Sequence, residues 1–218
     1  MRSQLTLRAA RPMAVGALGF ATLAAGTSAA AQVLNQGAID VNSTSTHVMA
    51  GRAATVQGAL RPARPGAVVA LQARRGDGWR TLATDATDGG GRFRIRYHAR
   101  RTGSWALRVR LAGPGADTAV RHDAGRLNVY RHAAASWYGP GLYGGHLACG
   151  GTLTPGTLGV ANKSLPCGAK VTLRYHGRSV RVPVIDRGPY VAGREFDLTS
   201  ATKDRLGFAG HGYVLSTR

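Results

Sequence analysis

From residue 47 to about residue 131, apolar and polar positions alternate with a period of two. Phe93, Ile95 and Tyr97 alternate with Arg94 and Arg96, and Trp105, Leu107, Val109 and Leu111 alternate with Ala106, Arg108 and Arg110. One apolar and one polar face per run predicts half-buried strands. Ala99–Ser104 reads as the turn that joins these two runs into a hairpin. Val68–Ala73 and Trp79–Thr84, around Gly76-Asp77-Gly78, predict another. Helical periodicity is absent. About seven short strands here predict an immunoglobulin-like β-sandwich, without the Cys…Trp…Cys spacing of antibody domains. Gln32–Thr46 is polar, short of core residues and reads as a linker.

At His132 the composition shifts to Gly, Tyr and Thr. Lys170–Arg174 and Arg178–Ile185 read as strands around a Tyr175-His176-Gly177 turn. Pro183 inside the second favours an edge or a bulge. Ser200–Phe208 is the one predicted helix, capped by Thr199 or Ser200 and ended by Gly207. Tyr213–Ser216 predicts a closing strand. The chain is therefore read as all-β with one short helix, in two domains over 47–131 and 132–218.

Export narrows the functional classes. Arg2, Arg8 and Arg11 precede the small apolar run Pro12–Ala25, and Ser28-Ala29-Ala30-Ala31 supplies an A-x-A exit, so residues 1–31 read as a secretory signal peptide. No other stretch is long enough to predict a membrane span. The chain carries 29 Lys+Arg against 10 Asp+Glu, a formal +19, which predicts anionic surroundings. Outside the cell these are peptidoglycan or another anionic cell-wall polymer. No nucleic-acid module is visible: neither a helix for a groove, nor zinc spacing, nor an aromatic RNP pattern. In the oxidising space beyond the membrane Cys149 and Cys167 are expected to pair. Residues 32–131 hold 16 arginines and six acids. If the first hairpin forms, Arg94, Arg96, Arg108 and Arg110 share its outward face, as a solvated surface or a platform for wall polymer. The protein is expected to be a secreted monomer.

The second domain has only four carboxylates, Asp186, Glu195, Asp197 and Asp204. Asp204, between Lys203 and Arg205, reads as solvated. Asp186 ends an apolar strand, where desolvation would raise its pKa and suit it to general acid work; the alternative is a turn-forming Asp paired with Arg187. Glu195 and Asp197 share a face if the segment is a strand, and Asp197 can instead cap the helix. Neither a Gly-x-Ser-x-Gly nucleophile nor a Cys–His pair is visible. His146, His176 and His211 lack metal-ligand spacing, so neither metal nor cofactor is expected.

Five runs occur together in a particular order: Ala135–Gly139 (ASWYG), Leu147-Ala148-Cys149-Gly150, Leu165-Pro166-Cys167-Gly168, Asp186-Arg187-Gly188-Pro189 and Glu195–Thr199 (EFDLT). In this order the chain resembles the rare lipoprotein A (RlpA) family over residues 134–216. The resemblance implies a six-stranded double-psi β-barrel with a groove across one side, related to expansins, in a family that includes septal-ring lytic transglycosylases cutting peptidoglycan glycan strands. It implies Asp186 and Asp197 as catalytic carboxylates, Trp137 and Tyr138 as a sugar platform, Ser136 as a hydrogen-bonding group, Arg187 beside Asp186 as a substrate contact, and the Cys149–Cys167 pair. The chain departs from the family in three places. Gly151 stands where a Glu is taken to be catalytic, Thr154 where an Asp is common, and Asn162 where a His is usual. Glu195 is a candidate replacement if it turns into the groove. An alternative reading is a non-catalytic, expansin-like protein that binds and loosens wall; another is a secreted protein–protein module.

Overall fold

A computed structural model describes residues 37–117 and 119–218, so the expected signal peptide and residues 32–36 lie outside the described residues. Thirteen strands and one helix are present among them. The first eight strands are β1 (Ala38–Ser45), β2 (His47–Met49), β3 (Arg52–Arg61), β4 (Val68–Arg75), β5 (Gly78–Ala86), β6 (Arg92–Ala99), β7 (Gly103–Ala112) and β8 (Arg121–Tyr138). β1, β3 and β6 form one antiparallel sheet. A second runs β5-β4-β7-β8, with β2 parallel to β8. Val56, Leu60 and Ile95 from the first sheet and Leu71, Leu107, Val109 and Leu127 from the second fill a common core.

Two expectations are corrected here. The supposed linker is a strand: Ala38–Ser45 pairs with β3, with Ile39 buried. Its polar composition reflects an edge position with one side in solvent. The Phe93–Tyr97 and Trp105–Leu111 runs do not pair with each other. β6 bonds to β3, β7 bonds to β4 and β8, and Arg100–Thr102 crosses between the sheets. Strands in two sheets that share a core show the same inward–outward alternation as hairpin partners. Arg94 and Arg96 therefore stand on a different sheet from Arg108 and Arg110, and the four do not form one face. The β4–β5 hairpin does form, around Gly76-Asp77, with Gly76 at φ 59°. A positive φ at the first turn residue is the twist-compatible choice for a two-residue hairpin.

β8 is 18 residues long and enters both cores. Its second half joins β9 (Val160–Ala161), β10 (Lys170–Tyr175), β11 (Arg178–Asp186), β12 (Phe196–Thr199) and β13 (Gly212–Ser216). The order β8-β12-β9-β11-β10-β13 returns to β8, so these six strands close into a barrel. Val171, Leu173, Val182, Val184, Phe196 and Leu198 fill it. Helix α1 (Ser200–Leu206) follows β12; Thr199 caps it by accepting from Thr202 N–H, and Gly207 ends it at φ 70°. Asp197 is thus not the cap. Among the described residues no helix is long and apolar enough to cross a membrane.

Candidate active-site groove

β9 lies between β11 and β12, and Asp186 and Asp197 are both in register with its Ala161, one from each side. Phe196 and Leu198 are buried in the barrel, so alternation along β12 turns Asp197 to the outer surface. On β11 the same rule would bury Asp186 behind Val180, Val182 and Val184. A β-bulge between Val184 and Asp186, just after Pro183, inserts Ile185 and re-aims Asp186 outward. Two carboxylates thereby reach one face from strands two spacings apart, roughly 10 Å between backbones.

Asp186 Oδ1 accepts the backbone N–H groups of Ala148 and Arg187, each at 2.9 Å. The strand end opens onto loops whose amides turn toward the carboxylate, a more polar setting than an apolar strand mouth suggests. Asp197 Oδ1 accepts from Ser136 Oγ at 2.6 Å. Burial pushes the Asp197 carboxyl above the usual carboxylate range and Asp186 adds to this, while Ser136 and Arg194 oppose it. The Tyr138 hydroxyl is buried and has no hydrogen-bond partner among the described residues. Burial, then the nearby Asp186 and Asp197 charges, hold it well above the ordinary tyrosine range, so it remains a proton-bearing group.

The raised Asp197 pKa predicts a pH-dependent stability. Because the folded-state value lies above the unfolded one, the folded chain bears a cost when this carboxyl ionises. Asp197→Asn, which can still accept from Ser136, is expected to raise the melting temperature near pH 7. That gain should vanish below the unfolded carboxylate pKa of about 3.9, where both states are protonated. Thermal denaturation across this range checks it, and a gain independent of pH would contradict it.

Asp186, Tyr138 and Leu142 border two adjoining hollows of about 220 and 210 Å³, which makes them one groove with Asp186 at its middle. Asp197, Tyr190 and Val191 line the first, and His146 and Leu153 the second. Tyr190 is 80% exposed, Leu142 56% and Val191 52%. These apolar rims went unnoticed in the sequence; the signal available was an aromatic directly after Gly188-Pro189 in a loop.

Other expected residues fall differently. Trp137 does not line the groove: strand alternation sends it opposite to Ser136 and Tyr138, where Lys203 Nζ sits 4.5 Å from its ring centre. Trp137 and Tyr138 therefore do not share a face. Arg187 borders the groove, but its guanidinium donates to the carbonyls of Asn162 (3.0 Å) and Leu165 (2.9 Å) and approaches Cys167 Sγ. It braces a loop. Glu195 does not turn into the groove; Arg131 grips both its oxygens, at 2.9 and 2.5 Å. Asn162 accepts from Ser164 and Leu165 N–H and donates to the Glu195 carbonyl, tying that turn to β12. Cys149 and Cys167 are disulfide-bonded, with Cα atoms 5.5 Å apart. Among the described residues no three His, Cys, Asp or Glu side chains gather to hold a metal ion.

Gly151 sits at φ 84° with open space where a Cβ would stand. A side chain fits there, yet the left-handed backbone disfavours any L residue with one. Gly151→Glu is expected to lower stability by about 1–2 kcal/mol, read by denaturant unfolding; a neutral effect would mean that the turn relaxes.

Part of the chain is similar in sequence to known proteins. Residues 131–215 match the family model described as lytic transglycolase, a double-psi β-barrel domain. The probable endolytic peptidoglycan transglycosylase RlpA of Synechocystis is 40% identical over 122 residues, covering 49% of this chain and 38% of that protein. The endolytic peptidoglycan transglycosylase RlpA of Campylobacter jejuni is 39% identical over 80 residues, covering 36% and 29%. The chain thus spans well under half the length of these relatives. Among solved structures, the Streptomyces papain inhibitor is 25% identical with a TM-score of 0.33, covering 40% of this chain and 90% of that one.

Proposed function

We propose, from the premise that residues 131–215 are a domain of the lytic transglycosylase family, that the groove holds a peptidoglycan glycan strand and cleaves it without water. The observation that carries this is the meeting of Asp186 and Asp197 on one outer face, on either side of Ala161, with a proton-bearing Tyr138 beside them. Asp186 acts as the acid/base at the glycosidic oxygen. Asp197, held by Ser136, is its polar partner. Tyr190 and Leu142 offer apolar surface for a sugar face. Export through the N-terminal segment, an extracytoplasmic place at the wall, and an immunoglobulin-like character for the 47–131 unit belong to the same reading. Purified sacculi test it: the protein should release soluble 1,6-anhydro-muropeptides.

A second reading, expansin-like binding without cleavage, draws support from Gly151 at the family's Glu position and from Glu195 being engaged by Arg131. It expects sacculi to retain the protein and release nothing soluble. Any anhydro product rejects it.

A further inference from the structure

Away from the groove, a cavity of about 130 Å³ opens where β8 meets the outside of the barrel. Arg126 and Asn128 of β8, Thr172 of β10, and Ser179 and Arg181 of β11 line it. Val171, Leu173, Val180 and Val182 fill the barrel core, so alternation leaves Thr172, Ser179 and Arg181 on the outer face, with Thr172 and Arg181 directly paired across the strands.

Each of these polar side chains has a hydrogen to donate. Arg126 is braced by Ser104, through Nε to Oγ (3.0 Å) and Nη2 to the carbonyl (3.1 Å), which leaves Nη1 unspent. Asn128 Oδ1 accepts from Ser104 Oγ at 2.6 Å, which leaves its amide nitrogen as a donor. Thr172 is 4% exposed, and its hydroxyl has no partner among the described residues. No carboxylate lines the cavity, and neither arginine is in an ion pair among the described residues. Burial, and then the charge of Arg181, depress the Arg126 pKa. The cavity thus gathers donors, one of them an unpartnered buried hydroxyl, with no carboxylate facing them, and an acceptor-rich anion would complete the set.

A hollow of about 130 Å³ has room for one tetrahedral oxyanion. Guanidinium forks match the spacing of phosphate oxygens. Donors arriving from three strands suit a tetrahedral group better than a planar carboxylate.

We propose that this cavity is a phosphate-binding site, with Arg126 and Arg181 gripping the oxygens and the Thr172 hydroxyl donating from below. The phosphate is a free ion or a phosphodiester of an anionic polymer. The site is independent of the glycan reading: Arg181 stands near the start of β11 and Asp186 at its end.

Isothermal titration of the whole protein with inorganic phosphate, at constant ionic strength in chloride buffer, tests it. Saturable one-site binding is expected, weakened about tenfold or more by Arg181→Gln and by Thr172→Val, as for loss of a hydrogen bond to a charged group. Without phosphate, Arg181→Gln should melt no lower than the parent, because it relieves repulsion of Arg126. A folding defect is thus separable from a binding defect. Displacement of phosphate by poly(glycerol phosphate) assigns the site to polymer, and phosphate binding without displacement assigns it to the free ion. Absence of saturable binding, or affinity unchanged in both variants, overturns the proposal. Sacculus digestion reads the groove alone, so the two proposals fail separately.

Discussion

Replacing Asp186 by Asn should abolish the release of anhydro-muropeptides while leaving the fold in place. In the proposed step the C1–O4 bond breaks as O4 receives the proton of a carboxylic acid, and the sugar's own O6 bonds to C1. The O6 proton returns to the carboxylate, so atoms balance without water. One carboxyl group can serve both transfers, so Gly151, where the resemblance would place a Glu, does not by itself exclude the proposed chemistry. Asn keeps an oxygen to accept the Ala148 and Arg187 N–H groups but cannot carry the proton. A loss of about 10²–10⁴-fold is expected, measured by chromatography of digested sacculi, with the melting temperature little changed. Undiminished release by Asp186→Asn would move the proton transfer to another group in the groove.

Removing the disulfide should have the larger effect on stability. Cys149 and Cys167 are 18 residues apart, and in the chain-entropy model closing a loop of that order contributes roughly 3 kcal/mol. For a domain of fewer than 100 residues that corresponds to about 12–24 °C in melting temperature. The bridge also ties together the two loops that flank Asp186: one brings the Ala148 amide, and the other is braced by Arg187. A Cys149→Ser, Cys167→Ser double variant should therefore lose activity at temperatures where it is still folded. Thermal denaturation and sacculus assays on the same samples separate the two losses, and an unchanged melting temperature would contradict the estimate.

What could be read in the chain followed from local chemistry. The Gly76-Asp77 and His176-Gly177 turns fixed two hairpins, because φ 59° at Gly76, and φ 43° and 84° at His176 and Gly177, are turn conformations that few other residues supply. Thr199 and Gly207 bounded the helix. The ordered motifs pointed to Asp186 and Asp197. Period two is blind to sheet membership, so β6 and β7 looked like partners. It is also blind to bulges: alternation through Val184 would bury Asp186, and only the proline beforehand hinted otherwise. Trp137 stands away from the groove for the opposite reason, since strict alternation holds there and its neighbours Ser136 and Tyr138 take the groove side. The Arg131–Glu195 pair spans 64 positions, and the Arg126–Thr172–Arg181 cavity unites three strands; neither has a local signature.

The course of β8 beyond its bulge at Gly125 has a mechanical consequence. From Arg126 to Tyr138 the strand spans up to roughly 40 Å at about 3.3 Å per residue, and it enters both cores along that length. Covalent backbone and ladder hydrogen bonds, in place of a slack tether, connect the Arg126–Thr172–Arg181 cavity to the groove. If the cavity grips a polymer under tension, the load passes along a stiff strut to the glycan beside Asp186.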